Sequence, residues 1–542
     1  MFQRLLKGCG LLAVGTVQDS RRSMATDGAY TLAKEDGHMV TIAMGIGLSG
    51  RSSALMAVLL LTLPAMSRAQ QVAIVEYLVP TANSLPLQIA AGSDGALWFT
   101  EEDGNKIGRI TTSGVMTEYR VPTRNSGPFG ITAGPDGALW FVENNSYQIG
   151  RITTAGAITE YPIPTPDANG GDIAAGPDGA LWFNEWDANN IGRVTTAGLF
   201  TEYPVPTPDC GVGVPTPGPD GAVWFMEYLA NNVARVTTTG AFTEYPIPTP
   251  GSGSGQITLG PDGALWFPEQ NANKIGRVTT AGAITEYLVP TPNSQPVWVT
   301  DGSDGALWFT EYGGNNIGRV TTAGLFTEYP VPTPGAALYG IVQGPDGALW
   351  FTEPSANRIG QAITVTANLT VNPASGFLRT NLTFTGSSFA PNESVTIYTK
   401  GIGSATLATA TADSSGSFTT TALEPKLPYG STNFLATGQT SGRIGAAPFS
   451  VTPRLIMTPN SGTPGSTIAA EGFGFGGGEV VQFYWGNPRQ LLGTATANEN
   501  GTFGGKTALT ITIPAGAPTG MNAVFGRGET THAIGSGLVT VQ

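Results

Sequence analysis

Residues 134–141 read GPDGALWF, and this stretch occurs with small changes seven times along the chain. The tryptophans of successive copies are always 42 residues apart, and they are Trp98, Trp140, Trp182, Trp224, Trp266, Trp308 and Trp350. An unbroken period of this length predicts a solenoid, a propeller or an array of repeated units. The internal pattern of one unit decides between these architectures.

The unit is clearest over residues 131–166, where short apolar runs alternate with turn sequences. The runs ITAG, ALWFVE, QIGRITT and AITEYPIP are separated by GPDG, by a polar segment and by AG. Pro and Gly favour turns, and no part of the unit has a helical period. Four short strands in 42 residues match the size of one propeller blade.

The two ends of the repeat test whether the ring closes. The seventh unit lacks an EY strand after NRIGQAIT, whereas residues 74–80 (IVEYLVP) form an EY strand before the first unit. We therefore predict an all-β fold in which the N-terminal strand completes the last blade of a seven-bladed β-propeller over residues 72–364. A β-solenoid is the competing interpretation, but 42 residues is long for one of its coils.

The rest of the 542-residue chain predicts further modules. After residue 364 the period stops, and two copies of another pattern of short alternating strands follow, over residues 365–452 and 453–542. Each has the size of an immunoglobulin-like β-sandwich, and both are interpreted as spacers or adhesive arms. The net charge of −13 argues against nucleic acid as a partner.

The first 69 residues are expected to be absent from the mature protein. Residues 51–69 combine a basic start, an apolar run and a small-residue cleavage site, which is typical of a secretory signal peptide. Translation is then expected to start at Met39 or Met44, with residues 1–38 a mis-assigned extension. The prediction is a monomer that is secreted, periplasmic or on the cell surface, without a transmembrane span. Cys210 would remain as the one cysteine, either a small buried residue or a stray thiol.

Two loops of each unit are predicted to meet at one mouth of the ring. The loop after EYPIPTP varies most between units, and variation on a repeated frame indicates where specificity lies. The aromatic residues of the two loops are Phe129, Trp186, Tyr228, Trp298, Tyr312 and Tyr339. An aromatic mouth suits a flat or apolar ligand, so we expect a small molecule, a glycan or a protein there. The alternative is that these residues only pack the loops.

A glutamate follows WF in every unit: Glu101, Glu143, Glu185, Glu227, Glu269, Glu311 and Glu353. Carboxylates at one rim could attract Mg²⁺ or Ca²⁺, and Glu311 and Glu353 are the candidate metal ligands. The competing interpretation is a repeated structural ion pair or turn cap, since an arginine also recurs in the IGR sequence. The aspartate of GPDG, such as Asp136, is predicted to be structural.

The repeated unit PxGIxxGPDGALWFTExxxNxIGRI…TEYPIPT resembles the virginiamycin B lyase (streptogramin lyase) family. The resemblance implies elimination at the ester bond of a cyclic depsipeptide, with Mg²⁺, carboxylate ligands and a catalytic histidine. It assigns Glu353 to a retained glutamate position. The catalytic histidine position holds Tyr339, a second glutamate position holds Ala337, and a second histidine position holds Val297. No histidine lies between His38 and His532.

Three hypotheses about function remain. The first is a non-catalytic propeller that binds a ligand or partner at its mouth, because a neutral imidazole is the usual base near pH 7 and none is present. The second is a Mg²⁺-dependent streptogramin B lyase, or a related metal-dependent propeller enzyme, that uses Glu353. The third is a hydrolase of the gluconolactonase kind, whose metal cage cannot be assembled from these repeats.

Overall fold

The computed structural model describes residues 71–401, 405–486, 490–504 and 509–542. The predicted signal peptide and extension lie outside these residues. Regular structure in the described part is β-strand, apart from two 3-10 turns at Asn144–Ser146 and Pro354–Ala356. No helix in these ranges has the length and apolar character needed to cross a membrane.

The first domain consists of seven four-stranded antiparallel sheets, the blades of a propeller. In six blades the strands follow one another in chain order, and the first of them is the innermost. The strands are β1 (Gln71–Leu78), β2 (Pro86–Ala91), β3 (Ala96–Glu101), β4 (Lys106–Thr111), β5 (Met116–Arg120), β6 (Pro128–Ala133), β7 (Leu139–Glu143), β8 (Gln148–Ile152), β9 (Ile158–Pro162), β10 (Ile173–Ala175), β11 (Leu181–Glu185), β12 (Asn190–Val194), β13 (Phe200–Pro204), β14 (Thr216–Pro217), β15 (Val223–Glu227), β16 (Asn232–Val236), β17 (Phe242–Pro246), β18 (Thr258–Leu259), β19 (Leu265–Glu269), β20 (Lys274–Val278), β21 (Ile284–Leu288), β22 (Pro296–Asp301), β23 (Ala306–Glu311), β24 (Asn316–Thr321), β25 (Phe326–Pro330), β26 (Ile341–Gln343), β27 (Leu349–Glu353) and β28 (Arg358–Val365).

The N-terminal strand closes the ring, as predicted. The seventh blade has the order β1-β28-β27-β26, and β1 pairs with β28 from Gln71 opposite Val365 to Leu78 opposite Arg358. Glu76 accepts hydrogen bonds from Thr333 and Arg358, so it occupies the place that an EY-strand glutamate has in each other blade. The displaced strand therefore supplies both the backbone ladder and the side-chain contacts of a fourth strand.

The hydrophobic core of the propeller lies between the blades. Seven clusters each join two neighbouring blades, typically by packing the tryptophan of one blade against the phenylalanine of the next, as Trp98 packs with Phe141. The cluster of Trp350 with Leu97 and Phe99 joins the last blade to the first. Burial of each such aromatic side chain contributes on the order of 2–3 kcal/mol, which explains why WF recurs in every unit.

The GPDG turn and the IGR strand are linked through the tryptophan. Asp136 accepts a hydrogen bond from Trp140 Nε1 at 3.0 Å and another from Arg151 Nε at 2.6 Å. Burial opposes the charged form of Asp136, but the bonds from Trp140 and Arg151 hold its pKa below its ordinary value. Tyr161 stacks on Trp140 at 5.5 Å between ring centroids. The aspartate is therefore structural, and the arginine pairs with it, not with the glutamate after WF.

A second repeated set of hydrogen bonds joins each blade to the loop that follows it. Asn189 donates from Nδ2 to the carbonyl oxygens of Val205 and Thr207, and its Oδ1 accepts the backbone N–H of Cys210 at 3.0 Å. In four other units a serine occupies the position of Cys210, for example Ser126. Cys210 is fully buried there, and burial raises the pKa of its thiol to about 12. Of the two alternatives that the sequence leaves, it is therefore the small buried residue.

Two β-sandwich modules follow the propeller, which confirms the predicted fold class. Their strands are β29 (Ala367–Asn372), β30 (Ser375–Gly376), β31 (Asn381–Ser387), β32 (Ser394–Thr399), β33 (Ala405–Thr411), β34 (Phe418–Leu423), β35 (Gly430–Gly438), β36 (Ile444–Val451), β37 (Arg454–Thr458), β38 (Ser461–Gly462), β39 (Thr467–Phe473), β40 (Val480–Trp485), β41 (Gln490–Thr496), β42 (Leu509–Thr512), β43 (Gly520–Gly528) and β44 (Ile534–Val541). The strands of the first module pair in the order β33-β32-β35-β36-β29-β31-β34, and their inner side chains share a single hydrophobic cluster. The second module has two sheets, β37-β39-β42 and β38-β44-β43-β40-β41, around another cluster.

The first module packs on the strand that closes the ring. Leu435 of β35 is fully buried in the cluster that contains Trp350. Asn433 donates from Nδ2 to the carbonyl oxygen of Ile74 in β1 at 3.0 Å. Lys400 donates to the carbonyl oxygen of Thr112 at 3.3 Å. The first module thus contacts the outer strand of the seventh blade at Ile74 and the first blade at Thr112.

Candidate functional site

The seven innermost strands form a closed ring, because each contacts its two neighbours and β26 contacts β2. The loops that precede these strands and the loops that follow the WF strands open into one depression at the end of the ring. Its volume is about 420 Å³. The sequence predicts that these two sets of loops meet, and the depression lies where they do.

All six predicted aromatic residues line this depression. Tyr339 contacts Phe129 edge to face with ring centroids 6.1 Å apart, and it contacts Trp298 at 5.9 Å. Trp186 and Tyr228 form a second pair at 5.8 Å, and Tyr312 is half-exposed beside the opening. The aromatic side chains therefore form two groups, an aromatic wall of Phe129, Trp298 and Tyr339 and a separate pair of Trp186 with Tyr228.

The opposite wall is built from glycine and from amide side chains. Gly171, Gly213 and Gly255 occupy in three successive blades the position that holds Tyr339 in the seventh, and all three line the depression. Lacking side chains, they leave room for a ligand. The amide residues at the wall are Asn144, Asn169, Asn184, Gln256 and Gln270.

Asp172 is the one charged side chain among the described residues that line the depression. It is 7% exposed, and its Oδ1 accepts a hydrogen bond from Gln88 Nε2 at 3.3 Å. Burial raises the pKa of Asp172 to about 7, against the opposing effect of Gln88. Gly130 of the neighbouring blade makes room for it, since a Cβ there would lie 2.6 Å from Asp172 Oδ1.

Sequence reasoning missed Asp172, although a signal was available. It is the acidic residue of the DANGGD loop that stands directly before an innermost strand, where a side chain reaches the channel. Its partner Gln88 lies 84 residues earlier, two units away. A comparison of each unit with its neighbour could not show that these two side chains meet.

The two positions that the resemblance assigns to histidine lie at this site, but neither of them holds a histidine. Tyr339 and Val297 both line the depression, whereas Ala337 does not. Burial, and after it the charges of Asp172 and Glu102, raises the pKa of Tyr339 above its ordinary value. A phenol with a raised pKa stays protonated near neutrality and cannot act as a base there.

The glutamates after WF are fully buried and do not line the depression. Glu311 and Glu353 are fully buried, and Glu311 accepts a hydrogen bond from Asn316 at 3.0 Å. Burial, and after it the charge of Glu76, raises the pKa of Glu353 well above its ordinary value.

These residues do not fit a Mg²⁺ ion. In the described ranges no three His, Cys, Asp or Glu side chains come together as a metal site. A carboxyl group with a strongly raised pKa keeps its proton, and the position that the resemblance assigns to a second carboxylate holds Ala337. Glu311 and Glu353 belong to different blades, and each is enclosed within its own.

Comparison with known proteins adds to this picture. The sequence profile described as the virginiamycin B lyase family matches residues 65–211 and 172–374, more than half of the chain. The chain belongs to the virginiamycin B lyase family. A macroglobulin-like domain profile matches residues 363–451, the first sandwich module.

Two solved structures of virginiamycin B lyases are similar to the propeller. The selenomethionine-substituted virginiamycin B lyase from Staphylococcus aureus is 40% identical, with a TM-score of 0.53, and the match covers 55% of this chain and 100% of that one. A streptogramin B lyase structure is 38% identical, with a TM-score of 0.52, over 54% of this chain and 98% of that one.

A third similar structure is a catalytically inactive histidine-to-alanine form of the Staphylococcus aureus virginiamycin B lyase, solved with quinupristin. That match is 40% identical with a TM-score of 0.53.

Proposed function

We propose that this member of the virginiamycin B lyase family is an exported, monomeric binding protein. It holds a ligand at the propeller mouth and does not catalyse an elimination reaction on it. The observation that carries the proposal is the pair Tyr339 and Val297, which stand at the histidine positions of the family and line the depression. The similar Staphylococcus aureus enzyme becomes inactive when one histidine is changed to alanine. This chain has no histidine in its propeller.

The chemistry of elimination supports the same proposal. A C–H proton must be removed, and a base works best when its pKa lies near the working pH. Tyr339 remains protonated there, and Val297 has no proton acceptor. Among the described residues no group of three His, Cys, Asp or Glu side chains comes together that could hold Mg²⁺ to polarise the ester. Export rests on the signal-like sequence at residues 51–69.

A residual lyase is the second candidate, and Asp172 is the observation that favours it. Its pKa of about 7 is suited to a general base, and its side chain is the one carboxylate of the described residues that lines the depression. A lyase of this kind would use Asp172 in place of the histidine. The Asp172→Asn variant would then lose turnover.

The test is incubation of the purified mature chain with quinupristin and Mg²⁺, followed by mass spectrometry and reversed-phase separation of linear from cyclic peptide. We expect cyclic peptide only, with the Staphylococcus aureus enzyme as the positive control. Linear product that disappears in Asp172→Asn would contradict the binding proposal and establish the residual lyase. Export is tested separately by N-terminal sequencing of the extracellular or periplasmic protein, which is expected to begin at Gln70.

A further inference from the structure

We propose that the ligand of the propeller mouth carries an organic ammonium group, which Asp172 receives as an ion pair while Phe129, Trp298 and Tyr339 surround it. This inference rests on the proposed binding function and names the chemical class of the ligand. It applies to protonated alkylamines and quaternary ammonium compounds and not to anionic or neutral compounds.

The charge of the site supports a cation. Asp172 lies in the depression almost fully buried, and no Lys, Arg or His side chain is among the described residues that line the depression. Its hydrogen bond from Gln88 is long, at 3.3 Å, and comes from a neutral amide. A buried carboxylate without a countercharge is costly, and a bound cation removes that cost.

The aromatic wall supports an organic cation. The ring of Tyr339 lies between Phe129 and Trp298, at 6.1 Å and 5.9 Å between centroids. Aromatic faces attract cations through their quadrupoles, and several rings around one point form the usual receptor for alkylated ammonium groups. Asp172 is close enough to this group for its charge to contribute to the raised pKa of Tyr339, after burial itself.

The shape of the site limits the ligand. A volume of about 420 Å³ accommodates a small organic molecule, and the glycines at positions 171, 213 and 255 leave the far wall open to the non-ionic part. The amide side chains on that wall can accept or donate hydrogen bonds. A ligand with an ammonium group on a ring or short chain would place the charge beside Asp172 and the aromatic residues, and its non-ionic part beside the glycines and amides.

The affinity is expected to depend on pH. The pKa of Asp172 is about 7 in the free protein because burial disfavours its charge, and a bound cation favours the ionised form. The groups that face it are Gln88, which does not titrate, and Tyr339, with Glu102 acting on Tyr339. Binding of a permanently charged cation therefore strengthens as the pH rises from 6 to 8.

The experiment uses the mature chain and three probes of similar size, benzyltrimethylammonium, benzyl alcohol and benzoate. Binding is followed by calorimetry and by the fluorescence of Trp186 and Trp298, which line the depression. We expect benzyltrimethylammonium to bind most tightly, with about tenfold weaker binding at pH 6 than at pH 8.

The variant Asp172→Asn is expected to weaken benzyltrimethylammonium binding by about tenfold or more, while leaving benzyl alcohol unchanged. Asp167→Asn is the matched control, because Asp167 is an exposed residue of the same loop and does not line the depression. Its binding should equal that of the unmodified chain.

Each outcome decides the question. Equal binding of the cationic and neutral probes, or no effect of Asp172→Asn, overturns the ammonium inference and leaves the binding function intact. If Asp172→Asn does not fold, the pH dependence and probe selectivity of the unmodified chain decide instead. Turnover of quinupristin overturns the proposed binding function whichever probe binds.

Discussion

At the scale of single residues, each blade places two glutamates close to one another. In the third blade Glu185, at the end of the WF strand, is fully buried, accepts a hydrogen bond from Asn190 and lies near Glu202 of the EY strand. Burial first, and the neighbouring Glu202 as well, raises the pKa of Glu185 to about 7. The sequence shows that such a glutamate recurs but not that it is buried, because its partner lies two strands away.

These buried acids predict that stability falls as the pH rises. A glutamate whose pKa is higher in the folded state holds its proton when folded and releases it on unfolding, so stability is lost between about pH 4.5 and pH 8. The groups and values are Glu101, Glu143, Glu185, Glu227 and Glu269 at about 7 and Glu311 at about 8. We expect the melting temperature to be roughly 5–10 °C lower at pH 8 than at pH 5.

The variant Glu185→Gln isolates one of these groups. The amide cannot ionise, so the variant should be on the order of 2–3 kcal/mol more stable than the unmodified chain at pH 8 and within about 1 kcal/mol of it at pH 5. Differential scanning calorimetry at both pH values measures this. A melting temperature that increases steadily from pH 5 to pH 8 would contradict the assignment.

At the scale of elements, β1 has the same contacts as every other outer strand but a different connection. Tyr77 stacks on Trp350 at 5.5 Å, as Tyr161 does on Trp140. Its partner strand β28, however, lies more than 280 residues later in the chain. Pairing over such a distance orders a long loop, so β1 can detach more easily than a strand joined by a tight turn.

This difference predicts that the closing strand is more sensitive to mutation than its equivalents. Glu76→Ala removes the contacts with Arg358 and Thr333 and should lower the free energy of unfolding by about 1–3 kcal/mol. The matched change Glu286→Ala removes the contacts with Lys274 and Thr249 in a continuous blade and should cost less, about 1 kcal/mol.

Hydrogen exchange resolves the local effect. Amides of residues 71–78 are expected to exchange faster in Glu76→Ala, whereas Glu286→Ala leaves them unchanged. Equal exchange in both variants would show that β1 is held as firmly as the other outer strands.

The blades also show how far sequence reasoning reaches. Strand count, turn chemistry and the missing EY strand together predict seven blades and their closure, because these depend on local patterns. The innermost strands of the fourth and fifth blades shrink to Thr216–Pro217 and Thr258–Leu259, where the preceding loops are rich in glycine and proline. The variable loops indicate where the candidate site lies. The hydrogen bond between Gln88 and Asp172, however, depends on the curvature of the ring.

At the scale of the whole molecule, the first sandwich module contributes to the core of the propeller. Leu435 belongs to the same cluster as Trp350, and Asn433 bonds to the backbone of β1. A module that acted only as a spacer would not place a fully buried leucine in another domain. We therefore expect the propeller to depend on it for part of its stability.

The variant Leu435→Asp tests this dependence in the full chain. A charge in that cluster should lower the melting temperature of the propeller by several degrees, as should truncation after residue 365. Leu423→Asp is the control, because Leu423 is 54% exposed in the same module. Tryptophan fluorescence reports mainly on the propeller, which holds nine of the ten tryptophans. Unchanged melting in Leu435→Asp would indicate that the two domains are independent.

The antiparallel pairing of β1 with β28 has a mechanical consequence. Gln71 and Val365 lie at the same end of the pair, and the chain continues from Val365 into the first module after Thr366 alone. Tension applied between the mature N-terminus beside Gln71 and the C-terminal modules would therefore separate this pair one residue pair at a time, starting at Gln71. A tether on one side only leaves it unloaded, so the point of attachment would decide whether the ring withstands a pulling force.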